Sequence, residues 1–170
     1  MKRLQTILIS LFFIFSCGVN FAQDAKDLVR QGKRAQNMGN TEEAIEIYNQ
    51  AIDLEPDFTD AYTARAYSYG FRGDHDLAIQ DYTKVIELDP NNADVYISRG
   101  SGYNDMHKFN LALSDFNKAI ELDPTNARAY NNRGFTKKGL GDKDGACKDW
   151  KKSKKLGNGE AKIILINNQC

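Results

Sequence analysis

The sequence is poor in the residues from which most small functional sites are built. Among its 170 residues only three are cysteine, three proline, two histidine and one tryptophan. Cys17, Cys147 and Cys170 lie too far apart to form the paired ligands of a zinc site, and the histidines are not grouped with them, so no metal site is assigned. A charge surplus is also missing. With 23 basic and 23 acidic side chains the formal net charge is zero, which leaves no chain-wide field to attract nucleic acid. There is no glycine-rich phosphate loop, paired-carboxylate motif or nucleophile elbow. Asp74-His75-Asp76 does place an imidazole between carboxylates, but at a helix start these groups serve capping and the helix dipole. The chain is therefore read as a non-enzyme, with no catalytic residue and no cofactor. What remains is 41% apolar and 27% charged, the composition of one folded domain of ordinary size.

Only one long apolar run occurs. After Lys2 and Arg3 no charge appears from Leu4 to Ala22, and Ile7 to Phe15 is apolar except for Ser10. That is the three-part build of a secretory signal, and it is shorter than the roughly 20 residues a spanning helix requires. Cleavage after Ala22 leaves a domain of residues 23–170 behind a signal peptide of residues 1–22. A competing site, Ile14-Phe15-Ser16-Cys17, is similar to a bacterial lipoprotein processing site with Cys17 as the lipidated residue. The expected location is periplasmic or secreted, or, on the competing reading, the outer membrane as a lipoprotein. Membrane contact is expected only if Cys17 is lipidated.

The rest of the chain repeats. Pro56, Pro90 and Pro124 recur every 34 residues, ending the phrases Asp53-Leu54-Glu55-Pro56, Glu87-Leu88-Asp89-Pro90 and Glu121-Leu122-Asp123-Pro124. The same step links Tyr48, Tyr82, Phe116 and Trp150, then Ala44, Ala78, Ala112 and Ala146, then Gly32, Ala66, Gly100 and Gly134. A fixed period of this length marks stacked supersecondary units. Within a unit, apolar residues fall at helical spacing in two runs, so each unit is two helices. Gly39, Gly73 and Gly141 suit the left-handed corner between them, with Asn40, Asp74 and Asp142 as N-caps of the second helix. The third unit has His107-Lys108 there, so His107 must adopt positive φ or the corner must change shape. Each proline ends a second helix because it cannot continue one.

Aromatic Tyr96, small Gly100, aromatic Tyr103, Ala112, aromatic Phe116 and Pro124 together match a known pattern, and by these residues the chain resembles the tetratricopeptide repeat family. The resemblance covers Ala25 to Glu160. It implies an all-α, right-handed α-solenoid of stacked antiparallel helix pairs, with units 25–58, 59–92, 93–126 and 127–160. Departures fall at the ends, where Ala35 and Lys137 stand in the column of Tyr69 and Tyr103, and Asn158 replaces the proline. Residues 161–170 form a C-terminal cap; Ala161 to Ile166 continues the register, so the run Ile163-Ile164-Leu165-Ile166 is expected as helix and not strand.

In the family the first helices line a concave side that holds extended or helical peptide segments. The slots that match are Lys33 and Asn37, then Thr63, Tyr67 and Phe71, then Ile97, Ser101, Asn104 and Asp105, then Asn131, Phe135 and Lys138. Tyr67, Phe71 and Phe135 either anchor a partner or cover the seams between units. The lysine and asparagine pair used by chaperone-tail-binding members is missing, since those slots hold Val29 with Lys33 and Thr63 with Tyr67. Cys147 takes a column otherwise held by Ile45, Ile79 and Leu113, which in the family packs against the next unit. It either bonds to Cys170 and clamps the cap, or is a buried free thiol. Arg65, Arg99 and Arg133 form one column and Asp81, Asp115 and Asp149 another, with both lost together in unit one at Gln31 and Ile47. This implies a repeated pair between the two helices of a unit, the alternative being two separately solvated columns.

Charge is also graded along the stack. Unit one holds 4 basic and 7 acidic residues and unit four 10 and 4. Lys148, Lys151, Lys152, Lys154 and Lys155 make a basic end, which is either the wet face of a terminal helix or a contact for lipid headgroups, nucleic acid or an acidic partner. The expected function is a protein–protein interaction scaffold that holds a partner segment, of unknown identity, in the concave groove. The rival is a lipidated structural subunit of a cell-envelope assembly that uses the convex face and the basic end.

Overall fold

The computed structural model describes residues 24–170. The signal-like segment and Cys17 lie outside these residues. Every regular element described is an α-helix: α1 (Ala25–Asn37), α2 (Thr41–Leu54), α3 (Thr59–Arg72), α4 (His75–Leu88), α5 (Ala93–Asp105), α6 (Phe109–Leu122), α7 (Ala127–Gly139), α8 (Lys143–Lys155) and α9 (Ala161–Asn167). None of them is long and apolar enough to cross a membrane. Each even-numbered helix packs on its odd-numbered predecessor and on its successor, so the chain is a one-dimensional stack of helix hairpins.

Small-to-large columns set the spacing within each pair. A Cβ on Gly134 would lie 2.5 Å from the Trp150 indole nitrogen, and one on Gly100 would lie 3.0 Å from the Phe116 ring. Tyr48, Phe116 and Trp150 are almost completely buried opposite these small residues. Corners between paired helices use φ of 85° at Gly39, 92° at Gly73 and 85° at Gly141. His107 follows suit with φ 56°, so the corner keeps its shape and the non-glycine residue takes the strain.

Capping differs in part from the expectation. Asp142 accepts a hydrogen bond from the Gly145 amide at 2.8 Å, but Asn40 and Asp74 occupy cap positions without capping. Asn40 instead donates to the Glu43 carboxylate at 2.9 Å, and Asp74 accepts from Arg72, so a nearby charged side chain captures each group first. At the other end of the pairs, the proline carbonyls are used. Tyr62 donates to the Pro56 carbonyl at 3.1 Å and Tyr96 to the Pro90 carbonyl at 3.3 Å, tying units two and three to the end of the unit before.

Beyond unit four, Ile163 to Ile166 lies within α9 and is helical. Cys170 is joined to Cys147 by a disulfide, with Cα atoms 5.5 Å apart, which fastens the end of the cap to α8.

Candidate functional site

The stack is held in register by a ladder of guanidiniums. Arg99 Nε donates to Asp115 Oδ2 at 2.9 Å and its Nη2 to Oδ1 at 2.8 Å, while Nη1 reaches back to Thr83 Oγ1 on the previous unit at 3.0 Å. Arg65 repeats this with Asp81 and Asn49, and Arg133 with Asp149 and Asn117. The columns are thus paired, not separately solvated. The carboxylates hold the Arg65 and Arg99 guanidiniums protonated beyond their ordinary range, chiefly through these hydrogen bonds and against the opposing pull of burial. Tyr96 and Tyr103 flank Arg99 with ring centroids at 5.8 and 5.9 Å. In unit four Lys137 replaces the second tyrosine and pairs with Asp149 at 2.8 Å.

A second set of polar contacts joins the odd-numbered helices, and it is incomplete. Between units one and two, buried Ser68 donates to Gln36 Oε1 at 2.7 Å. Between units three and four, buried Thr136 donates to Asn104 Oδ1 at 3.0 Å. The equivalent positions between units two and three are Gly70 and Gly102, which have no side chain to offer. Accordingly α1 meets α3 and α5 meets α7, whereas α3 and α5 barely touch. A cavity of about 330 Å³ opens there, walled by Tyr67, Phe71, Ile97 and Ser101 with His75, Asp105 and Arg128 on its rim. The sequence reading missed this seam. Its only signal is the break in two columns, Gln36, Gly70, Asn104 and Ser68, Gly102, Thr136.

The expected groove residues divide among three hollows. Lys33, Asn37, Thr63 and Tyr67 line one of about 430 Å³ between units one and two. Tyr67, 61% exposed, is shared with the cavity at the next seam, where Phe71, 68% exposed, Ser101 and Asp105 join it. Asn104, Phe135 and Lys138 surround a third hollow of about 380 Å³ near the His107 corner. Two residues need correction. Ile97 is 1% exposed and packs in the core with Phe116 and Ala129, so it is floor and not contact surface. Phe135 stands edge-on to Trp150 with centroids 5.3 Å apart, so it packs within its own unit while staying partly exposed. Asn131 lines none of the three; its carbonyl backbone oxygen accepts from the Trp150 indole, and its buried Oδ1 has no partner.

Burial marks the tyrosines that face these hollows. Tyr48, behind the first, has its hydroxyl pushed up to about 12 by desolvation, with a hydrogen bond to Ser68 pulling the other way. Tyr82, beneath the second, is also raised by burial. Elsewhere the six lysines of α8 are exposed, with Lys152 Nζ 5.7 Å from the Tyr130 ring centroid, and among the described residues none of them forms an ion pair. No cluster of three or more potential metal ligands occurs among the described residues.

The geometry defines an all-α solenoid of antiparallel helix hairpins, a fold that suggests a scaffold for protein–protein interaction. The chain belongs to the tetratricopeptide repeat family: one tetratricopeptide repeat profile matches residues 59–92, and a second matches residues 37–70 and 100–141. No curated protein gives a match. Among solved structures, that of MamA shares 26% identity with a TM-score of 0.74, over 82% of each chain. The first TPR domain of Spaghetti (RPAP3), bound to the HSP90 peptide SRMEEVD, shares 26% identity with a TM-score of 0.67, over 70% of this chain and 94% of that one. A MamA fragment from Desulfovibrio magneticus RS-1, at 21% identity and a TM-score of 0.73, is alike in fold.

Proposed function

We propose that this chain is an exported, non-catalytic scaffold that holds a segment of a partner protein along the odd-helix face, the concave groove of the stack. The observation that carries the reading is the pair of aromatic residues Tyr67 and Phe71, one turn apart on α3 and largely exposed at the junction of two hollows. Large aromatic side chains left in water beside a cavity are what partner-anchoring positions look like. Peptide binding by the RPAP3 domain, a protein of the same fold, is in keeping with this use of the face. A partner segment laid there would meet Lys33 and Asn37 first, then the aromatics, then Asn104, Asp105 and Lys138. Phe135 and Asn131 serve more in packing than in contact.

The test is capture of partners by wild type and by the variant carrying both Tyr67→Ala and Phe71→Ala, followed by crosslinking to map the contact. Loss of the same partner from the variant, with crosslinks on α1, α3 and α5, supports the groove. Equal recovery, or crosslinks confined to α8 and the even helices, refutes it and favours the rival of a lipidated envelope subunit. Mass spectrometry of the exported protein decides its processing: a chain starting at Gln23 accords with signal cleavage, and lipid on Cys17 with anchoring.

A further inference from the structure

Resting on the groove reading, we infer that the gap between units two and three is a side-chain pocket: it takes one bulky apolar side chain of the partner segment, flanked by residues of opposite charge. Three observations converge on it. First, the gap is not forced by packing. A Cβ on Gly70 would meet nothing within 4 Å, and one on Gly102 would make only ordinary contact with Ile79 at 3.5 Å. Neither glycine has positive φ, so larger residues fit both helices. Helix-interior glycine is unfavourable, and these two stand where the other seams carry a hydrogen-bonded pair.

Second, the opening has the chemistry of an anchor pocket. Its floor is apolar, formed by Ile97, Ala78 and the two glycines, and the exposed rings of Tyr67 and Phe71 stand along one wall. An apolar side chain seated there loses its contact with water on several sides. Third, the rim is electrically asymmetric. Asp105 stands with His75 at one end, and Arg128, paired with Asp94 at 2.8 Å, stands at the other. A basic residue on the Asp105 side and an acidic residue on the Arg128 side complement this rim and fix the direction of the segment.

The experiment uses fluorescent nonapeptides with a central Phe, Leu or Ala, flanked two residues away by Lys and Glu in both orders or by Ser on both sides. Binding to the full chain is followed by anisotropy and by amide chemical shifts. Central Phe or Leu is expected to bind roughly ten- to a hundredfold more tightly than Ala. It should also shift the Gly70 and Gly102 resonances, and one charged order should exceed the serine-flanked peptide. Indifference to the central residue overturns the proposal. So does tight binding that leaves the Gly70 and Gly102 resonances unmoved. The second arm is Gly70→Asn with Gly102→Thr, which rebuilds the pair seen at Asn104 and Thr136. Its melting temperature should rise while peptide binding is lost; retained binding in the folded variant overturns the pocket. If a captured partner needs Tyr67 and Phe71 but ignores the rebuilt seam, the pocket fails and the groove stands. If it ignores both, both fail.

Discussion

Removing Arg99 should be about twice as damaging as removing Arg133, although both sit in the same column and make the same bidentate pair. In Arg99→Met the Asp115 carboxylate, only 6% exposed, loses both of its guanidinium contacts, and Thr83 loses its link across the seam. A buried charge stripped of its partner costs about 3–5 kcal/mol, against the ~0–1 kcal/mol of an exposed pair. At this chain length that corresponds to a fall in melting temperature on the order of 10 °C. In Arg133→Met the Asp149 carboxylate keeps Lys137 at 2.8 Å, so it is not left bare. The expected cost is about half as large. Replacing both partners at once, Arg99→Met with Asp115→Leu, leaves no buried charge and should recover most of the loss, giving a coupling of about 2–3 kcal/mol. Urea unfolding followed by circular dichroism at 222 nm measures wild type, these three variants and Asp115→Leu alone, which closes the cycle. Arg99→Met within about 1 kcal/mol of wild type, or equal costs for Arg99→Met and Arg133→Met, would refute the view that the ladder is a buried, partner-dependent charge system.

Other expectations test different parts of the stack. Gly134→Ala places a methyl against the buried Trp150 ring and should destabilise by about 1–3 kcal/mol, whereas Gly70→Ala, with open space around it, should stabilise by about 0.5–1 kcal/mol; the same unfolding curves give both signs. Reducing the Cys147–Cys170 disulfide to two thiols should raise the intact mass by that of two hydrogen atoms and speed amide exchange in α9. Its loss, measured with Cys147→Ser, should cost on the order of 3 kcal/mol for a closed loop of this size, and an unchanged mass removes the clamp. Because the Tyr48 hydroxyl ionises near 12 when folded and near 10.0 ordinarily, the folded state binds the extra proton between those values. Its contribution is therefore complete below pH 10 and lost as pH rises to 12, roughly 2–3 kcal/mol in all, and Tyr48→Phe should flatten the alkaline limb of the stability curve.

The architecture was legible because its determinants recur. The small-to-large columns recur four times, and proline and the arginine and aspartate columns three times each, with that pair lost together at Gln31 and Ile47. Three glycines define what the corner demands, so the sequence narrows His107 to positive φ or a changed corner, and the structure has the former at φ 56°. Ile97 was misjudged for a physical reason: its slot also holds Val29, which is 4% exposed, so an apolar residue there drops into the core while Thr63 stays in the wall. For Phe135 the sequence leaves partner anchor and seam cover both open; the ring stands edge-on to Trp150 of its own unit, a contact that neither alternative includes. The caps at Asn40 and Asp74 failed where Glu43 and Arg72 compete for the same side chains. The open seam could not be read in advance, since Gly70 and Gly102 become meaningful only when contacts 32 residues apart are seen at the seams on either side.

The guanidinium ladder also carries its own stop signal. Each arginine reaches backward to a neutral oxygen supplied by the preceding hairpin at Asn49, Thr83 or Asn117. At the next turn of that sequence stands Lys151, a cation where an acceptor is required, and Asn167 falls where another arginine would recur. Whatever follows unit four cannot be fastened by the same rung. Fastening there passes from a charge network to a covalent bond, from a linkage sensitive to burial to one sensitive to the redox state of its surroundings.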